Sequence, residues 1–134
     1  MQLPDGKGVL VENPNRLAQA KFVQLVLAEF PQLQEEIAEA EGLLHLEMGI
    51  FSRFAQNAID HNALDTLKRC YGLLAGIMTT APSEVENAIY VSFVEHLNFE
   101  SSSYGSEARR LLPPVLKKAL DEVEEHWSAL GSGR

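Results

Sequence analysis

Tyr90, Ser92, Glu95 and His96 stand in one apolar run, "AIYVSFVEHLNFE" at residues 88–100, and no other stretch of the chain looks more like chemistry. On a helix Ser92 and His96 are one turn apart, near enough to share a hydrogen bond, with Glu95 beside them. Read as reacting groups, they would be a serine nucleophile and its histidine base. That chemistry also needs an exposed hydroxyl, free donors for an oxyanion and a third group orienting the base. A mid-helix serine has its neighbouring N–H groups committed to the helix, and no Gly-x-Ser-x-Gly elbow occurs here. The favoured reading is structural: Ile89, Phe93 and Leu97 in the core, Ser92 at a helix crossing, His96 at the helix edge. No catalytic residue is assigned, and the chain is expected not to be an enzyme.

Metal and phosphate chemistry find no better footing. The four histidines are His45, His61, His96 and His126, and none forms a His-x-x-x-His pair or follows a glutamate at the i, i+3 spacing of di-iron bundles. His45 and Glu47 point to different helix faces, and His126 follows Glu122 as a surface i, i+4 pair. The single cysteine, Cys70, has no partner for a disulfide or a metal site. The glycines are isolated, so no phosphate-cradling loop exists, and Gly72 and Gly76 in "GLLAG" predict close packing against a neighbouring helix. No cofactor and no metal are expected.

Charge is the skewed quantity. Eleven Lys and Arg against 19 Asp and Glu leave a net charge of −8. Such a surface disfavours nucleic acid and anionic membrane and attracts a basic protein partner. Two clusters carry it. "LQEEIAEAEG" places Glu35, Glu36, Glu39 and Glu41 over two turns, with Glu35 and Glu39 on one face at a spacing that costs a helix a few tenths of a kcal/mol. "LDEVEEHW" gathers Asp121, Glu122, Glu124 and Glu125, but Lys117 and Lys118 lie within reach and dilute it. The partner-binding candidates are therefore Glu35, Glu36, Glu39 and Glu41.

The elements that must position these residues are all helical. Met1–Glu12 reads as an N-terminal arm or loop, residues 13–130 as a single helical domain and 131–134 as a disordered tail. Asn13 and Pro14 open a helix as N-cap and first residue, with Leu17, Val23, Val26, Leu27 and Phe30 in phase before Pro31 stops it. From residue 32 to 61 one apolar stripe runs through Leu33, Ile37, Ala40, Leu44, Met48, Phe51, Ala55 and Ile59. Gly42 leaves its phase intact, which predicts a kink there rather than an end. Helices over 62–79 and 83–98 follow, joined by a proline turn in which Thr80 or Ser83 caps, and Pro113-Pro114 breaks the last apolar segment. The expectation is an all-α fold of five to seven helices in antiparallel hairpins, with HEAT-like packing possible at 62–98. No stretch is apolar enough to span a bilayer and no secretory signal opens the chain, so a cytoplasmic setting is expected.

The run "NAIYVSFVEHLNFE", followed by "LLPPVLKKAL", resembles a small bacterial family of uncharacterised function over roughly residues 63–127. Proteins of this kind are similar to immunity proteins of polymorphic toxin systems, which are small, acidic, all-helical and cytoplasmic. The resemblance implies a non-enzymatic protein that neutralises a cognate, basic toxin by steric and electrostatic blocking. It implies no catalytic residues. The alternative is a HEAT-like scaffold or adaptor for an unrelated host protein.

Overall fold

A computed structural model describes residues 14–80, 82–100 and 102–130 of the chain. Seven α-helices occupy them: α1 Pro14–Glu29, α2 Gln34–Glu39, α3 Leu44–Asp60, α4 Leu64–Met78, α5 Ser83–Ala88, α6 Gly105–Arg110 and α7 Pro114–Leu130. A 3-10 turn, Pro31–Leu33, precedes α2, and α5 runs on through a π-helical turn, Ile89–Phe93, into a 3-10 turn, Val94–His96. No strand occurs among the described residues, so the fold is all-α. The expected arm, the Asn13 cap and the tail at 131–134 lie outside the described residues.

The prolines punctuate the chain as their chemistry demands. Pro14 is the first residue of α1, Pro31 opens the turn after it, and Pro113-Pro114 parts α6 from α7. Pro82 takes the N-cap position of α5 with an extended ψ of 165°, and no side chain caps this helix, contrary to the role expected of Thr80 or Ser83. Glu84 and Glu86 in its first turn supply the negative charge a helix N-terminus favours.

At Gly42 the expectation of a kink is corrected. Residues 41 and 42 both have positive φ, 53° at Glu41 and 79° at Gly42, and a right-handed helix cannot pass through two such residues. The apolar phase survives because the turn returns the chain to the same core face. Asn62, φ 55°, ends α3 in the same left-handed region, and the N–H groups of Asn62 and Ala63 bond back to the carbonyls of Ile59 (3.1 Å) and Ala58 (2.8 Å).

The core gathers around Phe51 of α3. Its ring centroid lies 5.9 Å from Phe22 and 6.0 Å from Phe30, both at the α1 side, and 5.6 Å from Phe93 of the π-turn. Offset and tilted pairs of this kind contribute roughly 0.5–1.5 kcal/mol each beyond the area they bury. Around them α3 and α4, joined by a three-residue turn, pack as an antiparallel pair, and α7 lies against α4 through buried Leu116, Ala119 and Leu120. α5 and the π-turn take their packing from α1 and α3. Ile89 and Phe93 are fully buried and Leu97 half-buried.

Three glycines correct or explain the backbone. Gly105 opens α6 directly beneath the carbonyl of Phe99, where a Cβ would stand 1.6 Å from that oxygen, so no larger residue fits without moving backbone. Gly72 and Gly76, expected to pack closely on a neighbour, instead face open space in a groove between α1 and α4.

Two buried groups of α4 are closed to chemistry. Burial pushes the Cys70 thiol up to about 12, leaving it protonated and unreactive at neutral pH. The Tyr71 hydroxyl, also raised by burial, donates to the carbonyl of Ala108 at 2.9 Å and so ties α4 to α6. Tyr71→Phe leaves that buried carbonyl without this donor and should lower stability by about 1–2 kcal/mol in urea unfolding. Helix content in far-UV circular dichroism should stay unchanged.

Candidate functional site

The short helix α2 turns Ile37 inward, and Leu33 and Ala40 on either side of it are buried too. With those positions fixed, helical geometry sends Glu35, Glu36 and Glu39 outward, and all three are exposed. Glu41 follows in the left-handed turn and is exposed as well. None of the four makes an ion pair or side-chain hydrogen bond with another described residue. Beside them Leu43 and Leu46 are 58% and 54% exposed, the most exposed large apolar side chains of this corner. The ridge therefore offers negative charge and apolar surface together.

Gln19 of α1 holds this corner in place. Its amide donates to the carbonyl of Gly42 at 2.7 Å and to Oε1 of Glu47 at 3.0 Å. Glu47 is 4% exposed, in the first turn of α3, where the Gln19 amide supplies a hydrogen bond that a buried carboxyl needs. Sequence reading had placed Glu47 only by its face; its burial answers to Gln19, 28 residues away.

Glu36 and Glu39 form one wall of a groove of about 640 Å³, whose other walls include His45 and Arg53 of α3 and Ser92 and His96 of the segment after α5. Glu35 and Glu41 stay outside it, on the ridge. The π-turn decides which residues enter. The N–H of Val94 reaches back to the carbonyl of Ile89, five residues earlier, which widens the helix and offsets the following residues. Ser52, itself buried, donates to the carbonyl of Phe93 at 3.2 Å where the pitch changes again.

Ser92 does not pair with His96. Its Oγ lies 2.7 Å from Nδ1 of His45, and the imidazole tautomer decides which of the two donates. His96 is exposed at the rim. A distance of 2.7 Å is what a serine–histidine pair would need for proton transfer. Yet Ser92 is only 8% exposed, and among the described residues His45 makes no hydrogen bond to a carboxylate that would orient its ring. The arrangement is suited to exchanging hydrogen bonds with an incoming polar group. No group of three metal-ligating side chains occurs among the described residues.

Two residues of the second acidic cluster, Glu122 and Glu124, are tied to other elements of the fold. Both carboxylate oxygens of Glu124 accept from the Arg109 guanidinium, at 2.8 and 2.7 Å, and Glu122 accepts from the Tyr90 hydroxyl at 2.8 Å. Arg109, rather than Lys117 or Lys118, is the cation that offsets it. Its hydrogen bonds to Glu124 hold that carboxyl below its ordinary range.

Two outcomes follow from this geometry. Glu41→Gly removes a side chain from a left-handed residue and should raise stability by about 0.5–1 kcal/mol in urea unfolding. Glu124→Gln should cost no more than about 1 kcal/mol at pH 7, since the pair is half-exposed. A carboxyl whose folded pKa is depressed stabilises above its unfolded value and loses that contribution as pH falls through the folded one. The wild type and the variant should therefore converge in stability as pH drops below 4.

No curated protein and no solved structure matches the chain. No described helix is long and apolar enough to cross a membrane. Residues 23–128, from the middle of α1 almost to the end of α7, match the model of a family described as a domain of unknown function (DUF7674), and the chain belongs to that family.

Proposed function

We propose that this chain is a non-enzymatic, protein-binding protein of the immunity type, which neutralises a cognate toxin by covering a basic surface. The observation that carries the reading is the ridge of Glu35, Glu36, Glu39 and Glu41, which makes no ion pair among the described residues and stands beside exposed Leu43 and Leu46. Natural acidic surfaces kept only for solubility need no adjoining apolar residues; a recognition surface needs both, charge to steer the encounter and an apolar anchor to hold it. Arg and Lys side chains of the partner would pair with the ridge, and the groove behind it, with Glu36 and Glu39 in one wall and His45 and Arg53 in the others, would add polar contacts of both signs. Blocking is steric, so no residue of the chain need react.

The test is capture of partners by the tagged protein in its native host through a high-salt wash, followed by kinetics on the purified pair. One stoichiometric partner bearing a toxin domain is expected. The triple variant Glu35→Gln, Glu36→Gln, Glu39→Gln should slow association about tenfold, as should raised salt, with dissociation changed much less. An on-rate indifferent to salt would remove the electrostatic mechanism. A stoichiometric partner without toxin character would replace the immunity reading by a scaffold.

A further inference from the structure

The segment 83–96 has a second flank, turned away from the ridge. Glu86, Tyr90, Val91 and Glu95 on that flank and Glu122 and Val123 of α7 line an open groove of about 520 Å³. Residues 83 to 95 cover roughly three helical turns, about 18 Å, which is the length of a short docked helix. Val91 is 40% exposed, an apolar side chain left unpartnered in the groove.

Charge in this groove is set in a particular way. Glu122 accepts from the Tyr90 hydroxyl at 2.8 Å, and Glu95 accepts from the Trp127 indole N–H at 2.7 Å. Both donors are neutral, so they fix the carboxylate oxygens in space without cancelling their charge. Glu86 adds a third carboxylate close enough to disfavour ionisation of Tyr90, whose hydroxyl is pushed up to about 12 by partial burial first and then by Glu122 and Glu86. Among the described residues no lysine or arginine lines the groove, and His126 in its wall is positive only when protonated.

We propose that this groove is a docking surface for a cationic amphipathic helix of a protein partner, seated by an apolar residue on Val91 and Val123 and flanked by Lys or Arg facing Glu86, Glu95 and Glu122. Two preoriented carboxylates, with Glu86 beside them, around an apolar strip are the complement of that helix. A second copy of this chain is a poor occupant, because its net charge is −8. The surface is distinct from the α2 ridge and does not depend on the ridge being a toxin-binding site.

Trp127 is the single tryptophan and bonds to a groove carboxylate, so its fluorescence reports occupancy. The probe is a capped helical peptide of leucine and lysine, about 14 residues or four turns long, and its leucine–glutamate counterpart is the control. The lysine peptide should change Trp127 emission saturably and the glutamate peptide should not. Val91→Ser and Glu86→Lys, both at exposed positions, should each weaken binding about tenfold, with unfolding curves confirming that they fold. The triple glutamine variant of Glu35, Glu36 and Glu39 should bind the peptide as the wild type does. The proposal is overturned if the peptide produces no saturable change, if Glu86→Lys binds unchanged, or if only the ridge variant loses binding. It is equally overturned if the chain self-associates in sedimentation and Val91→Ser abolishes that, which would make a second copy the occupant.

Discussion

Phe51 is the ring on which the arrangement depends. It touches Phe22 and Phe30 on one side and Phe93 on the other, so a single side chain of α3 sets the distance of both α1 and the π-turn from the centre. Phe54 extends the same cluster to Phe30 at 4.7 Å. Because Phe93 must reach Phe51, the segment after Ala88 cannot continue as a regular α-helix, and the wider turn is the backbone's answer. The surroundings of both grooves then follow. The widened turn places Ser92 against His45, leaves Val91 and Glu95 on the far flank, and lets Ser52 satisfy the carbonyl of Phe93.

The polar contacts of the molecule divide into those that fasten it and those it leaves available. Gln19 with Glu47, Tyr71 with Ala108, and Arg109 with Glu124 join elements remote in sequence. Arg69 does likewise for α1 and α4, bonding the Glu29 carboxylate at 2.5 Å while its guanidinium covers the Phe30 ring. Set against these, the carboxylates of α2 and Glu86 fasten nothing. In a chain so short of cations, spending Arg69 and Arg109 on the fold is what leaves the remaining acids uncompensated.

What was legible beforehand was whatever is decided locally. Pro14, Pro31 and Pro113-Pro114 mark element boundaries because ring geometry acts on the residue itself, and Ile37 fixed the outward face of the acidic run by helical period alone. Gly42 misled because an apolar stripe records only which side is buried, not whether the backbone between two buried residues is helical. Phe22 went unnoticed beside Leu17, which kept the period yet is 54% exposed, because the helix's inward face is chosen by the phenylalanines of α3. The His45–Ser92 bond joins residues 47 apart, and the π-turn answers to packing on α3; neither leaves a mark in local pattern.

The π-turn also bears on how this chain can vary in length. A helix that spends one extra residue on a turn is equivalent to an α-helix carrying a one-residue insertion. Deleting a single residue between Ile89 and Phe93 would remove the residue that the wide turn absorbs, restore the regular pitch and keep the residues after it on their present faces. Glu95 would still bond Trp127 and His96 would still border Glu36 and Glu39, while the turn itself would lose one of Tyr90, Val91 and Ser92. A length change of one at this place would thus be absorbed within the turn, whereas the same change in α3 would put Phe51 out of reach of its partners.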